Sequence, residues 1–227
     1  MTRIKTVNIA VICTMIAAFI IHEYLRVAFP EAVPIRSIIK GGLSLIPVCI
    51  LLLGMRTISK PRQAYVKPIF LGLVVCLIGD VVINYSDMAG MVIFMVAQGI
   101  LIYSLLRETG IKRHRFLMWA GLSILVDTIC LLSPNIAKLG TVFCICGCIY
   151  IALMLLMVVS ALGCKRPFFM GALFFGISDL LLVRNTLLGE GIVSHALSLG
   201  TYYIGITVLG IYAFLYAREG KSLAREQ

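Results

Sequence analysis

GALFFGISDLLLVRN, Gly171 to Asn185, sets one carboxylate, Asp179, inside a run otherwise apolar enough to span a membrane. A carboxylate at that depth is costly, and where one is kept it usually serves function. GLVVCLIGDVVIN, Gly72 to Asn84, repeats the arrangement with a glycine, seven residues and then Asp80. The two stretches read as parts of one scaffold that holds Asp80 and Asp179 near each other.

The rest of the chain supports a membrane setting. Of the 227 residues 61% are hydrophobic and 13% charged, which leaves too little polar surface to clothe a soluble domain of this size. The net charge of +10 comes from short basic clusters between apolar runs, where topology signals sit, and nucleic acid is excluded as a partner on that pattern. Apolar runs near the spanning length fall at about 7–27, 36–55, 65–85, 89–106, 116–132, 139–162, 167–187 and 193–217. The expected architecture is therefore all-α, a single integral-membrane domain of eight transmembrane helices over residues 1–227. The first run outlasts a signal-peptide core and lacks a clear cleavage site, so it is expected to remain as a helix.

Lys and Arg set the orientation. A cytoplasmic N-terminus puts fifteen of them inside, in clusters around Arg3, Arg56 to Lys67, Arg107 to Arg115, Lys165 and Arg218 to Arg225. The other side keeps five: Arg26, Arg36, Lys40, Lys138 and Arg184. Both termini are thus expected in the cytoplasm. The third and seventh helices then run outward together, with Asp80 about 21 Å beyond Val66 and Asp179 about 18 Å beyond Pro167 at about 1.5 Å per residue. Equal depth and the shared spacing suggest a weak four-plus-four helix repeat with a site between the halves.

Other polar groups belong to the same outer half. Lys40 opens the second helix, Asn84 follows Asp80 by one turn, Gln98 is central in the fourth helix, and Arg184 and Asn185 close the seventh. Lys40 and Arg184 either hold an anionic group or snorkel to the interface, while Asn84 and Gln98 serve either the site or interhelical hydrogen bonding. Asp127, in the fifth helix without a matching motif, is expected to be structurally paired. The eight cysteines lie in or beside apolar runs and behave as small hydrophobes. Cys144, Cys146 and Cys148 share a helix on which the middle thiol points away from the others. Of the three histidines His114 lies in a cytoplasmic basic loop, while His22 and His195 sit near the outer surface and could still converge with an aspartate, so a metal is poorly supported and no cofactor is expected.

FLGLVVCLIGDVVIN (70–84), GMVIFMVAQG (90–99) and GALFFGISDLLLVRN (171–185) together resemble the YhhN-like family of membrane proteins, whose characterised members are lysoplasmalogenases. The family pattern falls on Gly79 and Asp80, on Gly90, Phe94 and position 98, and on Gly171, Phe175, Ser178 and Asp179. Two elements depart from it: position 98 carries Gln98 in place of histidine, and Tyr202 and Tyr203 in the last helix lack the glutamine that would follow. Lys40 matches a family lysine, with Gly41 where proline would stand.

The resemblance implies hydrolysis of the 1-alkenyl ether bond of a lysophospholipid, giving a fatty aldehyde and glycerophosphoethanolamine or glycerophosphocholine. Asp80 and Asp179 would be catalytic, and Lys40, Asn84, Gln98, Ser178, Arg184, Asn185, Tyr202 and Tyr203 would surround the substrate. On the residues alone, core packing is the favoured reading of Tyr202 and Tyr203. Vinyl-ether hydrolysis needs an acid to protonate the alkene carbon and a carboxylate beside the resulting cation. Two carboxyls in low dielectric divide these roles, because a second charge is costly there. The same aspartates would also suit a small transporter or proton pathway, and Gln98 a lipid-binding member without turnover. The compact chain favours a bacterial inner membrane.

Overall fold

The computed structural model describes residues 2–55, 60–110, 112–189 and 191–223, with side chains for 13–55, 64–110, 112–189 and 191–216. Eight α-helices follow one another: α1 Thr2–Ala28, α2 Val33–Met55, α3 Lys60–Val82, α4 Asp87–Thr109, α5 Arg113–Leu131, α6 Thr141–Ala161, α7 Arg166–Leu188 and α8 Ile192–Leu223. No strand occurs among the described residues. Helices α2 to α8 are each long and apolar enough to cross a membrane. Arg3, Lys5, the Arg56 to Arg62 cluster, Arg218, Lys221 and Arg225 have side chains outside the described residues.

Each of the eight predicted runs falls on one of these helices, of which seven, α2 to α8, have the length and hydropathy of a span among the described residues, and the ends differ where side chains intervene. The third span was expected to reach residue 85, but α3 stops at Val82. The Asn84 amide donates to the carbonyls of Asp80 at 2.7 Å and Val81 at 3.5 Å, supplying partners that a helix end otherwise lacks. Two residues later the Ser86 hydroxyl accepts from Ala89 N–H and starts α4, so the connection is only four residues long. At its far end α7 closes on Gly189, whose φ of +92° is a left-handed conformation that glycine adopts without penalty.

Helices α2, α3, α4, α7 and α8 form the central cluster, and α6 packs on α4 and α7. Their facing side chains, among them Leu51, Val66, Leu73, Leu101, Phe168 and Phe175, are fully buried. The outer faces carry exposed apolar residues such as Ile38, Leu53 and Ile124, which suits hydrocarbon rather than water. Helix α5 packs mainly on α6, and α1 mainly on α2.

Small residues bring α7 and α8 into backbone contact. A Cβ added at Gly205 would lie 2.7 Å from the Phe175 nitrogen and 2.9 Å from the Gly171 carbonyl oxygen. Such close approach is how membrane helices gain van der Waals contact without a hydrophobic driving force between them. It also fixes the height of Tyr202, one turn before Gly205, against Phe175.

Candidate functional site

Asp80 sits in the last turn of α3, almost wholly buried. Its carboxylate meets three donors from two other helices. On α2, Lys40 places Nζ 3.8 Å from Oδ1, and the Ser44 hydroxyl, one turn further along, donates to Oδ2. From α8 the Tyr202 hydroxyl donates to Oδ2 at 2.6 Å. A cation and two hydroxyl donors on one buried carboxyl favour its ionised form.

Asp179 is buried on α7 and has a different environment. Gln98 on α4 donates from Nε2 to Oδ2 at 2.8 Å, and the Tyr150 hydroxyl on α6 is hydrogen-bonded to the same carboxyl. Among the described residues no lysine or arginine pairs with it. Cys76, one turn before Asp80, lies within electrostatic reach of both carboxyls. The Tyr202 ring packs edge-on to Phe94 at 5.9 Å and tilted against Phe175 at 5.3 Å. The structure thus gathers donors from α2, α4, α6 and α8 around carboxyls on α3 and α7.

The other residues singled out from sequence separate into those that join this centre and those that do not. Gln98 and Tyr202 contact the aspartates directly. Tyr203 packs tilted against Tyr202 and donates to the Lys40 carbonyl at 3.3 Å, holding α8 on α2. Ser178 is buried beside Asp179, and its carbonyl accepts from Ser198 on α8. Lys40 lies two turns inside α2 and pairs with Asp80, whereas sequence placed it at the opening of the helix. Asn84 caps α3 through the backbone and does not turn its amide to either carboxyl. Arg184 is exposed and donates to Asn185 Oδ1 at 3.2 Å.

Asp127 stays apart on α5, and the structural pairing expected for it is not found: Oδ1 is buried without a hydrogen-bond partner. Ser44 and Tyr150 escaped the sequence reading. Ser44 had a signal, since it follows Lys40 by four residues and so shares its helix face. Tyr150 is the one tyrosine of the α6 run CICGCIYIALM, a hydroxyl with no local partner in sequence.

A second polar group joins the end of α1 to the start of α8. Glu23 on α1 accepts from Arg26 at 3.2 Å and contacts His22 Nδ1 at 3.2 Å and His195 Nδ1 at 3.0 Å. The imidazoles converge on a glutamate of their own and not on Asp80 or Asp179. Among the described residues no group of three or more His, Cys, Asp or Glu side chains is arranged to hold a metal ion. All eight cysteines are unpaired thiols.

The YhhN family model matches residues 41–212, which takes in α3 to α7 whole and most of α2 and α8. No curated protein and no solved structure matches.

Proposed function

The chain belongs to the YhhN family, and from that premise we propose that it is an integral-membrane hydrolase of 1-alkenyl lysophospholipids, with Asp179 as acid and Asp80 as base. The observation that carries this is the unequal partnering of two buried carboxyls. Asp80 has Lys40 and two hydroxyl donors, whereas Asp179 has an amide and a phenol. In a low-dielectric site that difference divides the pair into an ionised and a protonated member.

The reaction follows from that division. Asp179 delivers its proton to the second carbon of the alkenyl chain, and the electron pair of the C=C bond forms the new C–H bond. The cation left on the first carbon is shared with the ether oxygen and stabilised by the Asp80 carboxylate. Water, giving its proton to Asp80, adds to that carbon. The hemiacetal collapses as Asp80 passes the proton taken from water to the ether oxygen and the hemiacetal hydroxyl gives its proton to Asp179, which releases a fatty aldehyde and the glycerol hydroxyl of the head group and resets both carboxyls. Gln98 and Tyr150 orient the acid, while Tyr202 and Ser44 orient the base.

The test is aldehyde release from a synthetic 1-alkenyl lysophospholipid by purified protein, with Asp80→Asn and Asp179→Asn alongside. Release by the parent and loss of at least 10³-fold in both folded variants is the expected result, a size in keeping with general acid–base catalysis of about 10²–10⁴-fold. Full turnover in either variant would overturn the assignment. A parent inactive in detergent, with proton or cation flux across sealed vesicles, would favour a transport role for the same carboxyls.

A further inference from the structure

A cavity of about 350 Å³ lies between α4, α6 and α7, beside the aspartates but separate from them. Its inner wall is Tyr150 and Phe94, the first hydrogen-bonded to Asp179 and the second packed on Tyr202. Phe143, Ile151 and Val183 make its sides apolar. Cys144 and Cys148 line it and Cys146 does not, as the helical spacing of the three thiols requires.

One polar side chain in this lining lacks a partner. Asn185 is 95% buried, and Arg184 donates to its Oδ1, which fixes the orientation of the amide. Its Nδ2 is then a buried donor with no acceptor. A buried donor left unpaired costs about 1–3 kcal/mol, so an acceptor is owed at this point. The neighbouring Asp87 and Thr186 also line the cavity, and they give this outer end a polar character that the inner end lacks.

We propose that this cavity binds a single-chain amphiphile, its hydrocarbon chain between α4, α6 and α7 and an oxygen of its polar end accepting from Asn185 Nδ2. The volume is near the lower bound of ligand-sized pockets, which suits one chain and not two. The apolar walls reject a wholly polar ligand, and the lone donor at the outer end selects an oxygen-bearing head. Occupancy requires no turnover. Where the hydrolase reading also holds, Tyr150 is the contact through which an occupied cavity touches Asp179.

The experiment uses the full chain in phosphatidylcholine nanodiscs and a saturated 1-O-alkyl lysophospholipid carrying a diazirine in its chain. A saturated ether has no alkene to protonate, so binding is read without cleavage. Crosslinks mapped by mass spectrometry are expected on 143–151 of α6 and 182–187 of α7, and to fall at least tenfold with excess unlabelled lipid. A Cβ added at Gly147, which lines the cavity, meets no atom within 4 Å. Gly147→Phe should therefore keep the melting temperature and lower these crosslinks at least tenfold. Asn185→Leu should weaken competition by about tenfold, the value of one hydrogen bond.

Crosslinks confined to bilayer-facing residues such as Ile38, Leu53 and Ile124 would mean annular lipid only and overturn the proposal. So would cavity crosslinks that Gly147→Phe leaves unchanged. Aldehyde release from the alkenyl substrate, measured on the same samples, reports on the hydrolase separately: its absence with crosslinks intact would refute the reaction and keep the binding site.

Discussion

Gly205→Ala tests whether the close approach of α7 and α8 is what holds the aspartate centre together. In an open helix interior this exchange is stabilising by about 1 kcal/mol, because glycine gives up more backbone freedom on folding. Here the added methyl would lie 2.7 Å from the Phe175 nitrogen, where ordinary contact begins at 3.4 Å, so the helices must part by about 0.7 Å. Overpacking against backbone costs about 1–3 kcal/mol, enough to outweigh the propensity gain. The expected net loss of about 1 kcal/mol lowers the melting temperature by about 2–4 °C for a chain of this length. Displacement near 1 Å at a reacting centre costs up to about 10²-fold in rate, so aldehyde release should fall at least tenfold as Tyr202 leaves Asp80. Gly99 is the control, since a Cβ there meets nothing within 4 Å and Gly99→Ala should leave melting and release at or above parent values. If Gly205→Ala melted higher than the parent with release unchanged, the contact would not be holding the site.

Tyr202→Phe keeps the ring between Phe94 and Phe175 and removes only the hydroxyl on Asp80. Release should drop about tenfold or more, in line with about 1.5–3 kcal/mol for a hydrogen bond to a charged group. Lys40→Met leaves the buried Asp80 without its cation, a loss of about 3–5 kcal/mol in denaturant or thermal unfolding, and adding Asp80→Asn should restore most of it. Gln98→His restores the residue of the family pattern opposite Asp179, and a rise in release measured beside the parent would show that the amide limits the acid.

The eight helices were legible because apolar runs of spanning length are a local property, and each was bounded by proline, glycine or a basic cluster. Asp80 and Asp179 were legible for the complementary reason, as charges where the local composition disfavours them. The partners of each carboxyl were harder to read. Lys40 falls so near the start of its run that sequence treats it as interfacial, and only the packing of α2 on α3 brings it to Asp80. Tyr150 is 29 residues from Asp179 and in an unbroken apolar run, so nothing local marks it. Asn84 misled in the opposite direction: its spacing put it on the face of Asp80, but the helix ends first and the amide caps it. The cavity has no local signature, since α4, α5, α6, α7, the α3–α4 turn and the α5–α6 connection all contribute to its lining.

The partnering of the two carboxyls also bears on how the chain is made. Asp80 follows Lys40 and Ser44, which belong to the helix synthesised immediately before it. Asp179 follows Gln98 and Tyr150, which have both left the ribosome when α7 emerges. Each carboxyl can therefore enter the bilayer with its partners already waiting, so the cost of an unaccompanied charge in lipid need not arise during insertion. Tyr202 is the exception, arriving with the final helix and completing the hydrogen bonding of Asp80 only when the whole bundle is in place.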